Sequence, residues 1–114
     1  EEEAVRAQAF LVAGVSELKL KHYPQAHQAF QSAAEAAGED ATVRFRALAG
    51  SGLALEEQGQ WQQAARYYDQ VAAGSPDKEL QRWAKARRAA LAPKLKPPAK
   101  SPAKPRAGGK AAKP

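Results

Sequence analysis

Five residues of this chain recur in order at a fixed distance: Gly14, Tyr23, Ala26, Phe30 and Ala33 reappear as Gly52, Trp61, Ala64, Tyr68 and Val71, each pair 38 positions apart. All are small or apolar, the residue types that set how closely two helices approach. A repeat near this period, with apolar residues three and four apart inside each copy, predicts helical hairpins that bury a continuous core only by stacking. Such stacks expose long side faces, so the function expected of one is binding.

Helix punctuation supports the prediction. A first helix is expected from about Glu3 to Lys21, with acids at its N-terminus, where the helix dipole favours them, and Val5, Phe10, Ala13, Gly14 and Leu20 among its apolar or small positions. Tyr23-Pro24 breaks it. Pro24 suits the first turn of a second helix, whose face of Ala26, Ala29, Phe30, Ala33, Ala34 and Ala37 ends at Gly38. Asp40 is placed to cap a third helix carrying Val43, Ala47, Leu48, Ser51, Gly52 and Leu55 up to Gly59. A fourth presents Ala64, Ala65, Tyr68, Val71 and Ala72 up to Gly74. Ser75-Pro76 predicts the cap and first turn of a fifth, which Pro93 limits. The expected fold is all-α: a superhelix of two hairpins, about 3–38 and 41–74, and a C-terminal capping helix at about 76–92, forming one domain over 3–92. Gly14 and Gly52 are expected to admit the second helix of each hairpin against Ala26 and Ala64, with Phe30 and Tyr68 filling the gap between hairpins. Tyr23, Phe30, Trp61 and Tyr68 are accordingly read as packing residues.

The net charge of +6 on 114 residues divides unevenly. From Pro93 onward Lys94, Lys96, Lys100, Lys104, Arg106, Lys110 and Lys113 stand without an acid, so residues 1–92 are nearly neutral. Residues 93–114 are Pro, Ala, Lys and Gly almost throughout and are expected to be a disordered basic tail, unable to bury enough surface to offset ordering entropy. The chain has no cysteine, which excludes a disulfide framework and cysteine-ligated zinc. No apolar run approaches the roughly 20 residues that span a bilayer. An opening Glu1-Glu2-Glu3 and the lack of Met are the marks of a processed form or fragment, which leaves room for a membrane anchor upstream.

Residues from about Arg6 to Asp77 resemble two tetratricopeptide repeats, the 34-residue helix–turn–helix unit. Phe10, Ala13, Gly14, Ala26 and Phe30 match the family pattern in the first copy, and Leu48, Ser51, Gly52, Leu55, Ala64, Tyr68 and Pro76 in the second. Glu17 stands where the family prefers Tyr, Gly38 where it prefers Pro, and about four extra residues lie around Gly38–Arg44. The resemblance implies a concave face, lined by the first helix of each repeat, that docks a peptide or amphipathic helix of a partner protein. Carried over by position, the groove takes Leu11, Val15 and Leu18, with Gln8 and Lys19, from the first repeat. From the second it takes Arg46, Ala49, Leu53 and Glu56, with Glu57, while Trp83 and Arg87 close one end. A carboxylate clamp is disfavoured, because that subset uses Asn and the chain has none. The strip of Leu11, Val15, Leu18 and Leu53 is equally open to being core under the capping helix, or a homodimer face.

Enzymatic and metal-dependent readings fail on inventory: His22 and His27 are the only histidines and lack nearby acids in ligand spacing, so no catalytic residue, metal or cofactor is expected. Polyanion binding is the alternative function, through Arg82, Lys85, Arg87 and Arg88 of the last helix continuing into Lys94, Lys96, Lys100 and Lys104. The tail resembles those of linker-histone-like proteins and would hold nucleic acid or another acidic surface by counterion release. Finally, the Ala47–Gly59 stretch, an aromatic helix, Ser75-Pro76-Asp77 and a short basic helix together resemble bacterial envelope-associated tetratricopeptide proteins. That implies a scaffold facing the periplasm or cell envelope, favoured over the cytoplasm.

Overall fold

The computed structural model describes residues 2–95; the expectation of disorder over 93–114 falls beyond it from residue 96 on. The described chain is all-helical: α1 (Glu2–Lys19), α2 (Tyr23–Ala37), α3 (Ala41–Glu57), α4 (Trp61–Gly74) and α5 (Lys78–Leu95). Each helix packs on the next in chain order, and α1 also touches α3. The arrangement is that of stacked helical hairpins closed by a fifth helix.

Local chemistry sets the boundaries. Glu2 and Glu3 occupy the first turn of α1 and Lys19 the last, each complementing the helix dipole. At the end of α1 the His22 amide donates to Glu17 O (2.9 Å) and the Lys21 amide to Leu18 O (2.9 Å), a Schellman closure that puts Lys21 at φ 65°. The same closure ends α3, with Gln60 donating to Leu55 O and Gly59, the repeat equivalent of Lys21, at φ 77°. Pro24 sits in the first turn of α2, and Asp40 caps α3 by accepting from the Val43 amide at 3.3 Å.

The fifth helix departs from expectation at both ends. Its cap is Asp77, whose carboxylate accepts from the Glu79 and Leu80 amides at 2.9 and 3.3 Å, while Ser75 closes α4 and Pro76 lies in the link. It also runs through Pro93 to Leu95. The amide that proline lacks would have bonded the carbonyl of Ala89, an exposed residue, while Leu91 and Leu95 anchor the last turn in the core. The first helix buries less than its composition suggests: Ala7 and Gly14 are buried, but Val5 and Ala13, and Leu20 just past its end, are exposed.

The core hangs on aromatic rings seated against helix backbone. Phe30 lies between α1 and α3, so close to both that a Cβ on Gly14 or Gly50 would come within 2.6 or 2.5 Å of its ring. Tyr68 sits on Gly52 in the same way, and Phe45 against Gly74. Around Phe30 gather Ala26, Ala33, Ala47 and Ala54; around Tyr68 gather Leu55, Ala64, Ala65, Val71, Ala84 and Leu91. Helix α3 supplies residues to both clusters and is therefore buried on two sides. Fully burying a ring such as Phe30 contributes about 1.5–3 kcal/mol.

Gly50→Ala is expected to lower stability by about 1–3 kcal/mol through overpacking, although alanine is the better helix former by about 1 kcal/mol. The loss is expected to shrink in a Phe30→Leu background; urea unfolding of both chains checks this. Lys21→Gly is expected to stabilise by about 0.5–1 kcal/mol, because glycine adopts the left-handed conformation without the Cβ penalty.

Candidate functional site

Three helices converge on one open apolar groove of about 330 Å³. Leu11, Val15 and Leu18 of α1 form one wall, Leu80 and Trp83 of α5 the other, and Arg46, Ala49, Gly50 and Leu53 of α3 run between them. Because Ala49 and Gly50 rise so little from the helix, the Phe30 ring beneath also lines the floor. Leu11, Leu18, Leu53 and Trp83 are half-buried, Val15 is 41% exposed and Arg46 is exposed at the rim. Helix α5 thus covers the strip from one side and leaves it accessible from the other.

Seven of the twelve residues carried over to the concave face line this groove: Leu11, Val15, Leu18, Arg46, Ala49, Leu53 and Trp83. Gln8, Lys19, Glu57, Arg87 and Glu56 do not, and Glu56 is turned into the fold. Its carboxylate accepts from the Tyr68 hydroxyl at 2.7 Å and from Arg87 Nη2 at 2.9 Å, with the Glu56 side chain only 18% exposed. Two charges read as ligand contacts, Glu56 and Arg87, thereby neutralise each other inside the fold. Arg87 also lies 5.9 Å from the Trp83 ring centroid, and Tyr68 meets that ring edge-on at 5.6 Å, so the network fixes the tryptophan as a wall of the groove. Burial and then the bond to Glu56 push the Tyr68 phenol well above its usual range, and the same carboxylate is the main influence holding Arg87 charged.

Gly50, Leu80 and the Phe30 floor escaped the sequence reading. Gly50 has Val12 at its repeat equivalent, so the self-match that singled out Gly14 and Gly52 passes over it. The signal available was the Gly50-Ser51-Gly52 triplet, since two glycines on different faces of one helix serve two neighbours.

The cations of the polyanion alternative are largely engaged elsewhere. Arg87 pairs with Glu56, Arg88 Nε donates to Asp69 at 3.0 Å, Arg82 pairs with Glu79 at 3.5 Å, and Lys94 lies 4.6 Å over the Trp61 ring. Lys85 is exposed; Lys96, Lys100 and Lys104 lie outside the described residues. The two histidines belong to separate surroundings: His22 Nδ1 is 2.8 Å from Glu17, and His27 Nδ1 is 3.1 Å from the Ser51 hydroxyl with its ring edge-on to Tyr67. Burial lowers the pKa of His27. Among the described residues no helix is long and apolar enough to cross a membrane.

No family model matches this chain, and no significant match was found to a curated protein or a solved structure.

The Tyr68 environment makes a signed prediction. An unfolded tyrosine ionises near pH 10 while the folded Tyr68 keeps its proton, so its contribution is complete below about pH 10 and is lost as pH rises above that. The melting temperature is expected to fall between about pH 9.5 and 11.5, and to fall less in Tyr68→Phe, as followed by circular dichroism.

Proposed function

We propose that this chain is a tetratricopeptide-like interaction module, without catalytic activity, that holds an amphipathic helix or mixed-charge peptide of a partner protein in the groove between α1 and α5. The observation that carries the reading is the convergence of Leu11, Val15, Leu18, Leu53, Leu80 and Trp83 from three helices onto one accessible surface. A helix with apolar side chains three and four apart fills such a groove, and the low floor at Ala49 and Gly50 lets its backbone come close. Arg46, exposed at the rim, offers a partner carboxylate a charge-assisted hydrogen bond. On the resemblance to envelope-associated repeat proteins, the partner belongs to a bacterial envelope or secretion assembly.

Selection of displayed random peptides on the full chain, at moderate salt and with counter-selection on Leu53→Glu, tests this. Recovered peptides are expected to carry apolar residues at helical spacing and to bind Leu53→Glu and the more exposed Val15→Glu at least about tenfold more weakly, about 1.4 kcal/mol, with melting curves unchanged. Peptides that bind all three chains equally and are released by salt would overturn the groove and assign binding to Lys85 and the basic tail.

A further inference from the structure

A titratable side chain stands in the seam between the two hairpins. His27 of α2 reaches across to α3, where its Nδ1 lies 3.1 Å from the Ser51 hydroxyl, and its ring meets Tyr67 of α4 edge-on at 5.8 Å. Packing does not require a histidine at this place: the residue 38 positions on is Ala65, buried at 4% exposure. Ser51 is only 1% exposed, whereas its equivalent in α5, Ala89, is exposed. The polar contact therefore belongs to the first seam and is not repeated in the second.

Among the described residues no acid pairs with His27. The ionisable groups on the elements around it are engaged elsewhere or stand apart. Glu17 of α1 bonds His22, Arg44 of α3 donates to the Gly38 carbonyl, and Glu56 of α3 holds Tyr68 and Arg87. On α4 Tyr67 presents its ring, with Arg66 beside it exposed; on α2 itself Tyr23 lies one turn before His27 and the exposed Glu35 two turns after. Burial, with no acid to oppose it, holds the His27 ring toward its neutral form.

We infer that this contact is a pH-sensitive latch on the groove floor: Ser51 donates to the bare Nδ1 of a neutral His27, and protonation of the ring in mild acid loosens α2 from α3 at that point. A neutral imidazole keeps one nitrogen free to accept a hydrogen bond, and an imidazolium keeps none. Once Nδ1 carries a proton, the buried hydroxyl has only the carbonyls of its own helix left to bond, an arrangement that bends helices, and an unpaired charge stands in the seam. His27 and Phe30 are one turn apart on α2 and meet consecutive residues of α3, Ser51 and Gly50. A seam that loosens at His27 therefore shifts the ring that floors the groove. The latch itself is independent of what the groove holds; only its effect on a bound partner rests on the binding reading.

Because the folded state favours the neutral ring, the latch contributes fully above the ordinary imidazole value near 6.5 and is lost as pH falls through the lower folded value. Imidazole titration of the full chain by NMR, with His22→Gln assigning the two rings, tests this. His27 is expected to titrate below free imidazole, and the Phe30 ring signals to move with the same midpoint. Ser51→Ala is expected to raise that midpoint, since it removes a bond made only to the neutral ring. Between pH 7.5 and 5 the melting temperature of the original chain is expected to fall about 4 °C further than that of His27→Gln, which stays polar but does not titrate. A His27 midpoint at or above that of free imidazole, a midpoint lowered by Ser51→Ala, Phe30 signals indifferent to the titration, or an equal fall in both melting temperatures would overturn the inference.

Discussion

The seating of Phe30 between the bare backbones of Gly14 and Gly50 is the contact on which the rest of the structure depends. One ring ties three helices together, and it does so only because neither neighbour carries a Cβ. With the backbones drawn this close, alanine is large enough to fill the remaining space, which is how a chain with 7% aromatic residues builds a core from Ala26, Ala33, Ala47 and Ala54. The same glycine shapes the surface. Gly50 leaves the floor of the groove low, so the ring that holds the hairpins together is also the bottom of the site. The core and the candidate groove here share atoms: Phe30 and Gly50 belong to both.

The second organising element is electrostatic. Tyr68, Glu56 and Arg87 form a bonded set between α3, α4 and α5, and they position Trp83 by an edge-on contact from one side and a cation from the other. A half-buried carboxylate with two donors is a structural part rather than a ligand contact, because removing either donor would leave charge or hydroxyl unsatisfied away from water. The groove is consequently apolar along its length with one free cation, Arg46, at its rim among the residues that line it. Its two ends of the fold also differ in character: α5 turns lysines and arginine outward, whereas α1 turns valines.

Much of this was legible in the residues themselves. The repeat, the five helices, Pro24 and Asp40 at their helix starts, Gly59 as a helix stop and Gly14 and Gly52 as points of close approach follow from spacing and backbone chemistry, which are local; that the rings of Phe30 and Tyr68, rather than Ala26 and Ala64, lie against those glycines does not. Seven groove residues were reachable through the family resemblance, which implies a concave face lined by the first helix of each repeat and closed by the capping helix. What failed to show was of two kinds. Glu56 and Arg87 look like any exposed acid and base until α3 and α5 are brought together, 31 positions apart in the chain. Pro93 reads as a stop until Leu91 and Leu95 are seen to hold its turn against the core.

By itself, then, the sequence determined an all-helical stack of two hairpins and a cap, since periodicity, caps and glycine placement act within one or two helical turns. Only the tertiary structure decided which apolar residues are covered and which charges are consumed. Val5 and Val43 are the same residue at equivalent positions, yet one is bare and the other buried, because only the second has a helix in front of it.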